Sequence, residues 1–333
     1  MISSVLTAAL AAVLVVAPMA VSEPDRLCTV QDKQLDELSG LAVDAAGVWG
    51  IADDGKRTEV HRLDPADCSI VDTRTARIDP RDTEDLAVGP DGALWVADTG
   101  DNERQRDTVA VIVLPERGEP RLHRLVYPDG PHDAEALLVD GSGVPVIVTK
   151  DATRPAGIYR TDGQPTGEGP IPLVRVGQLT LPPSDTIGGP LGGLGSRLVT
   201  GAAATADRRV VALRSYTDAW LYPAPDGDVV AALTGAAPVQ VPLPDEPQGE
   251  AIAFLPDGTL LSGSETRDGE VGDLRAVPGA AALVDGIEGV PTSGPPGFAT
   301  DDGPPDWLPA ALGVAAVAGF LLLLTTGMVL RRR

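Results

Sequence analysis

The feature that most constrains the fold of this 333-residue chain is an internal repeat. Each copy has a polar residue, a short apolar run, a turn of the Pro-Asp-Gly kind and a second short apolar run. The copies begin at Ser39, Glu84, Glu135, Thr200 and Glu250, and the copy at Thr200 is the weakest. Short apolar runs separated by such turns are typical of β-hairpins. The repeat therefore predicts an all-β fold built from equivalent hairpins.

The spacing of the repeats predicts how the hairpins are arranged. The copies start 45, 51, 65 and 50 residues apart, and a third β-favouring segment follows several of them. A unit of roughly 40–50 residues with four short strands has the size of a propeller blade. We expect a β-propeller of five blades, with six as the alternative if the widest gap contains a degenerate blade around 172–193. We also expect 27–30 to pair with the last blade and close the ring.

The two ends of the chain indicate export and a membrane anchor. Residues 1–22 carry no charge and end in small side chains, which is the pattern of a secretory signal peptide. The run 308–330 is uncharged and long enough to span a bilayer, with Trp307 before it and three arginines after it. A buried core helix is the alternative for this run. The predicted parts are a signal peptide at 1–22, a propeller ectodomain at 23–285, a Pro- and Gly-rich stalk at 286–306, a C-terminal transmembrane helix at 307–330 and a cytoplasmic tail at 331–333. We expect a single-pass protein of the cell membrane with an extracellular propeller.

Charge and cysteine content narrow the range of partners and the compartment. Between the signal peptide and the tail, the chain carries 23 Lys and Arg against 48 Asp and Glu. Such a surface repels nucleic acid and anionic lipid headgroups, and it suits cations or basic partners. Cys28 and Cys68 both lie outside the predicted membrane segment, where a disulfide forms and persists. We expect them to pair, with two free thiols as the alternative.

The residues that open the repeats are candidate binding residues, because the innermost strands of a propeller line its central channel. The expected ligand-binding residues at the channel mouth are Ser39, Glu84, Glu135, Thr200, Glu250, Lys150 and Arg214. Converging carboxylates repel one another unless they are solvated, protonated, paired or bridged by a cation. Oxygen-rich clusters suit Ca²⁺, and the candidate metal ligands are Glu84, Asp98, Asp101, Asn102, Glu135 and Glu250. Two alternatives stay open: a water-filled acidic mouth, and an ion-pair ring in which Lys150 and Arg214 neutralise the glutamates.

The sequence contains none of the common motifs for nucleophilic or zinc catalysis. There is no Gly-x-Ser-x-Gly elbow, and none of the three histidines forms a His-x-His or His-Glu-x-x-His pattern. His132 is the only histidine close to the predicted mouth. No catalytic residue is assigned on these grounds.

Five short motifs carry a family resemblance over roughly 28–277. They lie at 39–41, 81–85, 98–102, 132–137 and 248–252. Together they resemble exported actinobacterial β-propeller-repeat membrane proteins, and they are more distantly similar to NHL-type and gluconolactonase/regucalcin-like propellers. The distant resemblance implies a divalent cation at the axis, held by Glu, Asn and Asp side chains. Glu84, Glu135, Glu250 and Asn102 have suitable chemistry for that role.

Two functions are compatible with these observations. The first is a surface-displayed propeller that binds a ligand or a protein and is stabilised by Ca²⁺. Its partner would be a cell-envelope protein, a glycan or a small molecule. The alternative is a divalent-cation-dependent hydrolase of the lactonase or phosphoesterase type, which would use the acidic mouth.

Overall fold

The computed structural model describes residues 22–53 and 57–284. The predicted signal peptide, stalk, transmembrane helix and tail lie outside the described residues, and they stay predictions. Within the described ranges, no helix is long and apolar enough to cross a membrane.

The described residues form an all-β, propeller-like fold of short antiparallel strands. Strand β1 (Asp25–Thr29) comes first, and the others follow as four groups of four and a last group of three, which β1 completes. The first group is β2 (Leu38–Asp44), β3 (Gly47–Ala52), β4 (Thr58–Leu63) and β5 (Ile70–Ala76). The second is β6 (Asp85–Val88), β7 (Leu94–Asp98), β8 (Val109–Leu114) and β9 (Arg121–Val126). The third is β10 (Ala134–Val139), β11 (Pro145–Thr149), β12 (Ala156–Thr161) and β13 (Ile171–Leu179).

The remaining strands continue the pattern. The fourth group is β14 (Gly201–Ala204), β15 (Val210–Arg214), β16 (Asp218–Pro223) and β17 (Val239–Pro242), with a short helix α1 (Val229–Gly235) before β17. Strands β18 (Gln248–Phe254), β19 (Leu260–Glu265) and β20 (Asp273–Val277) form the last group together with β1. A short parallel pairing between β13 and β9 joins the second and third groups into an eight-stranded sheet.

Strand β1 closes the last group, as the sequence predicted. It pairs antiparallel with β20, so the order in this sheet is β1-β20-β19-β18. The predicted disulfide is also confirmed: Cys28 in β1 bonds to Cys68, with their Cα atoms 5.6 Å apart. Because Cys68 lies in the turn between β4 and β5, the disulfide ties the closing strand to the first group.

The first strand of each group contacts the first strands of its neighbours. Strand β2 packs on β6, β6 on β10, β10 on β14, β14 on β18, and β18 returns to β2. Successive side chains of a strand point to opposite faces, so each group contributes to two adjoining apolar clusters. Trp49 and Ile112, for example, share one cluster between the first and second groups. This packing brings the starts of the five first strands to one end of the ring.

The turns of the repeats have the geometry that their sequences predict. Gly92, Gly143 and Gly258 occupy equivalent turn positions with φ of 77°, 80° and 83°. Glycine adopts such left-handed conformations without steric cost. In the weakest repeat, Arg208 occupies the corresponding turn with φ of 59°.

The widest gap between repeats contains an outer strand and a long loop. The segment suggested for a sixth blade, 172–193, begins within β13, which pairs with β12 as the outer strand of the third group. Residues 180–200 then form a loop that includes a 3-10 helix at Gly192–Arg197. We refer to residues 180–200 as the long loop.

Candidate functional site

The five residues that open the repeats are all buried at the same end of the ring. The two hydroxyl residues bond to the neighbouring first strand: Ser39 Oγ donates to Glu84 O over 2.6 Å, and Thr200 Oγ1 donates to Gly249 O over 3.1 Å. Their hydroxyl groups therefore join adjacent strands. The three glutamates are left as the candidate ligands of this set.

Local irregularities in the first strands set the direction of these side chains. The pairing register shifts between Leu38 and Gly40, between Ala134 and Ala136, and between Gly249 and Ala251. The extra residues are Ser39, Glu135 and Glu250. A β-bulge of this kind re-aims a side chain, and bulges are frequent next to active sites.

Five carboxylates come together at this end, and we call Asp53, Asp82, Glu84, Asp133 and Glu135 the carboxylate cluster. One oxygen each from Glu84, Asp133 and Glu135 lies within 4.8 Å of the others, and the same holds for Asp53, Asp82 and Glu84. Glu84 belongs to both triads. Each triad offers a set of oxygen ligands close enough to bind one cation.

One oxygen of the cluster lacks a partner. Glu135 Oε2 is buried and has no hydrogen-bond partner among the described residues. An unpaired buried polar atom carries a desolvation cost, which a bound cation would offset. The residues present therefore fit a metal ion.

Gly100 makes room for the cluster. A Cβ atom at this position would overlap the carboxyl groups of Glu84 and Asp82. The glycine lets the loop after β7 pass directly beside the two carboxylates. A larger residue there would have to displace them.

Burial and mutual repulsion raise the pKa values of the cluster. Burial raises the pKa of Glu84 well above its ordinary value, and the charges of Glu135 and Asp53 raise it further. The pKa of Asp53 is raised to about 8 by burial, then by its hydrogen bond with Asp82 and the charge of Asp82. In the absence of a cation, part of the cluster is therefore protonated near neutral pH.

Glu250 lies beside the cluster rather than in either triad. Gln248 Nε2 donates to Glu250 Oε1 over 3.0 Å and to Glu265 Oε2 over 2.6 Å. Burial raises the pKa of Glu265 to about 11, and the adjacent Glu250 contributes to the shift. Glu250 thus forms a hydrogen-bonded group with Gln248 and Glu265 beside the cluster.

Lys150 supplies a positive charge to the cluster. Its ammonium group forms an ion pair with Glu135 and lies 5.0 Å from the centre of the Tyr216 ring. Burial lowers the pKa of Lys150, but the adjacent Glu135 carboxylate raises it more, so the net shift is upward. Lys150 therefore stays charged and neutralises one glutamate.

Arg214 does not act on the glutamates of the mouth in this way. Its fully buried guanidinium pairs with the buried carboxylate of Glu246 and also bonds to Ser262 Oγ. The structure thus places Arg214, a predicted ligand-binding residue, in a buried ion pair. Glu246 lies in the connection before β18, outside the repeat pattern.

Asp98, Asp101 and Asn102, which the sequence suggested as metal ligands, are in neither of the two triads of described residues. Asp98 Oδ1 accepts hydrogen bonds from Asp82 N over 3.0 Å and from the Arg106 guanidinium over 2.8 Å. The Asp101 carboxylate accepts from two backbone N–H groups of its own loop, and Asn102 is exposed. Asp98 and Asp101 hold the loops that position the cluster.

The sequence reasoning missed three members of the cluster. Asp82 and Asp133 each lie two residues before a repeat-opening glutamate, and Asp53 follows β3. The recurring Asp-x-Glu spacing at 82–84 and 133–135 was the signal that could have revealed two of them. Asp133 is further positioned by Asp101 N, which donates to Asp133 Oδ1 over 2.9 Å.

Comparisons with known proteins find only remote similarity, and only to solved structures. No family model matches the chain, and no curated protein matches it. Among solved structures, a gluconolactonase from Xanthomonas campestris is 15% identical, with a TM-score of 0.40 and coverage of 72% of both chains. A putative gluconolactonase is 14% identical, with a TM-score of 0.44 and coverage of 74% of this chain and 77% of that chain. A PQQ-bound aldose sugar dehydrogenase from Streptomyces coelicolor is 13% identical, with a TM-score of 0.41 and coverage of 78% and 99%. Likenesses at this level carry no conclusion about activity.

Proposed function

We propose that this protein is a membrane-anchored binding module displayed on the cell surface, a five-bladed β-propeller with Ca²⁺ at its acidic mouth. The five groups of four strands, with their first strands in contact around a ring, support the blade number. The observation that carries the cation site is the triad of Glu84, Asp133 and Glu135, within which Glu135 has an unpartnered buried oxygen. The ligand or partner belongs to the cell envelope.

The chemistry of the triads favours a hard cation. Ca²⁺ takes six to eight oxygen ligands in flexible geometry, and carboxylates can bind it with one or both oxygens. Neither of the two triads of described residues includes a histidine or a cysteine, the ligands that zinc prefers. Glu84, Asp133 and Glu135 would hold the ion, and bound Ca²⁺ would offset the repulsion among them.

Thermal unfolding of the full chain tests the cation site. We expect Ca²⁺ to raise the melting temperature over that in a chelator, because a ligand that binds only the folded state stabilises it by about 2.7 kcal/mol at 100 times its Kd. Glu84→Gln should remove most of this shift, since Glu84 belongs to both triads. The exposed Glu119→Gln is the matched control. An equal shift in Glu84→Gln, or none in the unmodified chain, would contradict the proposal.

The predicted location outside the membrane has one supporting observation. The disulfide between Cys28 and Cys68 is of the kind that persists in oxidising compartments. Protease treatment of intact cells should digest the propeller and spare a short anchored fragment. Full protection of the propeller in intact cells would argue against this location.

One feature favours the hydrolase alternative: burial raises the pKa of Asp53 to about 8. A carboxylate with a pKa near neutrality can act as a general base, and a divalent cation would supply Lewis-acid activation of water. The test is a panel of lactones and phosphoesters with Ca²⁺, comparing the unmodified chain with Asp53→Asn. Turnover that Asp53→Asn abolishes would favour the enzyme over the binding module.

A further inference from the structure

The long loop is the longest connection between an outer strand and the next first strand in the described part of the chain. It covers residues 180–200, whereas the corresponding connections contain five to eight residues. Three large apolar side chains on it are exposed: Ile187 at 67%, Leu191 at 62% and Leu194 at 45%. Structured loops of this length are commonly functional. Exposed apolar side chains that lie close together mark interaction sites.

The long loop is fixed to the domain by hydrogen bonds. The hydroxyl groups of Ser184 and Thr186 donate to Asp218 Oδ1 over 3.0 and 2.7 Å. Gly189 N donates to Glu246 O over 2.8 Å. These bonds hold the backbone in place on both sides of Ile187, although its side chain faces water.

The two exposed leucines of the loop, Leu191 and Leu194, lie on one turn. Leu194 N donates to Leu191 O, and residues three apart in a 3-10 helix share one side. Leu191 has φ of 67°, a left-handed conformation that is unfavourable for a leucine. The fold thus keeps two apolar side chains in water and one of them in a strained conformation, a combination that is concentrated at functional sites.

The loop lies beside the carboxylate cluster. A Cβ atom at Gly189 would lie 2.9 Å from Tyr216 Cβ, and one at Gly195 would lie 3.3 Å from Tyr216 Cδ2. Tyr216 in turn faces the ammonium group of Lys150, which pairs with Glu135. One aromatic ring and one lysine therefore separate the exposed apolar loop from the acidic mouth.

We propose that the carboxylate cluster and the long loop form one docking surface for a peptide segment that carries a basic side chain between apolar side chains. This inference rests on the proposed binding function and names the chemistry of the partner. The basic group complements Asp53 and Asp82, the two half-buried carboxylates of the cluster, and leaves the buried Glu84, Asp133 and Glu135 to the cation. The apolar neighbours of the basic group cover Leu191 and Leu194. A membrane is the poorer occupant, because 48 acidic residues against 26 basic ones repel anionic headgroups.

Calorimetric titration of the full chain in zwitterionic nanodiscs tests this surface with three short capped peptides: Leu-Lys-Leu, Ser-Lys-Ser and Leu-Gln-Leu. We expect Leu-Lys-Leu to bind about tenfold more tightly than either of the others. Ser-Lys-Ser lacks the apolar side chains that would cover the loop, and Leu-Gln-Leu lacks the positive charge that would pair with the carboxylates. In the double variant Leu191→Ser/Leu194→Ser, the advantage of Leu-Lys-Leu over Ser-Lys-Ser should disappear. Val71→Ser/Val174→Ser is the control, since these two valines are 48% and 47% exposed but lie in β5 and β13, outside the long loop.

The outcomes separate this inference from the cation site. An unchanged preference for Leu-Lys-Leu in the loop variant, or no binding of any peptide, would overturn the docking surface, whatever Ca²⁺ does to the melting temperature. Conversely, a leucine preference that depends on the loop supports the surface even if Ca²⁺ has no effect. Adsorption of the unmodified chain to added zwitterionic vesicles, lost in the loop variant, would identify lipid as the occupant and overturn the peptide. Melting curves of both double variants confirm that each is folded.

Discussion

Asp85 is a buried carboxylate whose partners are backbone N–H groups rather than cations. Asp85 Oδ2 accepts from Leu137 N over 2.7 Å and from Ala202 N over 3.1 Å, and Oδ1 accepts from Leu86 N over 2.8 Å. These donors belong to the first strands of three different groups. The side chain therefore satisfies donors that face the centre of the ring, where no neighbouring strand can do so.

We predict that Asp85→Asn lowers the free energy of unfolding by about 2–4 kcal/mol, because an amide group has one acceptor oxygen for three donors. Urea unfolding measures the loss. Asp72→Asn is the control: Asp72 is exposed and its ion pair with Arg62 is long, at 3.7 Å, so its effect should stay within about 0.5 kcal/mol. Equal stability of Asp85→Asn and the unmodified chain would show that these hydrogen bonds do not stabilise the ring.

Lys150 acts as an internal cation, which leads to a second prediction. Lys150→Gln removes the positive charge beside Glu135, so Ca²⁺ should bind about tenfold more tightly, while the calcium-free melting temperature falls. Titration calorimetry measures the affinity. Lys150→Arg keeps the charge and should behave like the unmodified chain. Weaker Ca²⁺ binding in Lys150→Gln would instead mean that the lysine positions Glu135 for the ion.

Among the elements, the inner hairpins and the closing strand β1 could be predicted from the sequence, whereas the outer strands of the other four groups could not. The repeat-opening residues lie in or directly before β2, β6, β10, β14 and β18. These strands are apolar because they are buried on both faces. The outer strand β5, by contrast, is mostly exposed and has few apolar residues, so its pattern is that of a loop.

The site was predicted only where it coincides with the repeat. Glu84 and Glu135 open repeats and belong to the triads. Asp53 lies in the connection after β3, outside the recurring Asp-x-Glu spacing, and tertiary packing alone decides which connections meet. The partner of Arg214 could not be found for the same reason, since Glu246 is 32 residues away in the chain.

Strand β1 is the element on which ring closure depends, and its removal gives a third prediction. Deleting residues 23–30 should lower the melting temperature by at least about 10 °C, because β20 loses one of its two antiparallel partners and the last group loses its outer strand. Scanning calorimetry measures the change. The double variant Cys28→Ser/Cys68→Ser loses only the disulfide. Its free energy of unfolding should fall by about 2–4 kcal/mol, which is less than the loss in the deletion variant. A deletion variant that melts like the unmodified chain would contradict closure by β1.

At the scale of the whole molecule, an acidic chain folds around buried carboxylates. The folded state binds protons at Asp53 and Glu84 more tightly than the unfolded chain does, because burial raises the pKa of both. Protonation therefore stabilises the fold. This contribution is fully present below pH 4, near the ordinary pKa of Asp53 at 3.8, and it is lost as the pH rises through about 8.

We therefore predict that, without divalent cations, the melting temperature falls between pH 5 and pH 8, by an amount on the order of 5 °C. Saturating Ca²⁺ should reduce or reverse the fall, because the cation replaces the protons and binds better as the carboxylates ionise. Asp53→Asn, which cannot ionise, should flatten the calcium-free profile, whereas Asp72→Asn should not, since Asp72 lies outside the cluster. A melting temperature that rises from pH 5 to pH 8 in chelator would mean that the cluster is already ionised in the folded state. The repulsion that the cation is proposed to offset would then be offset by Lys150 alone.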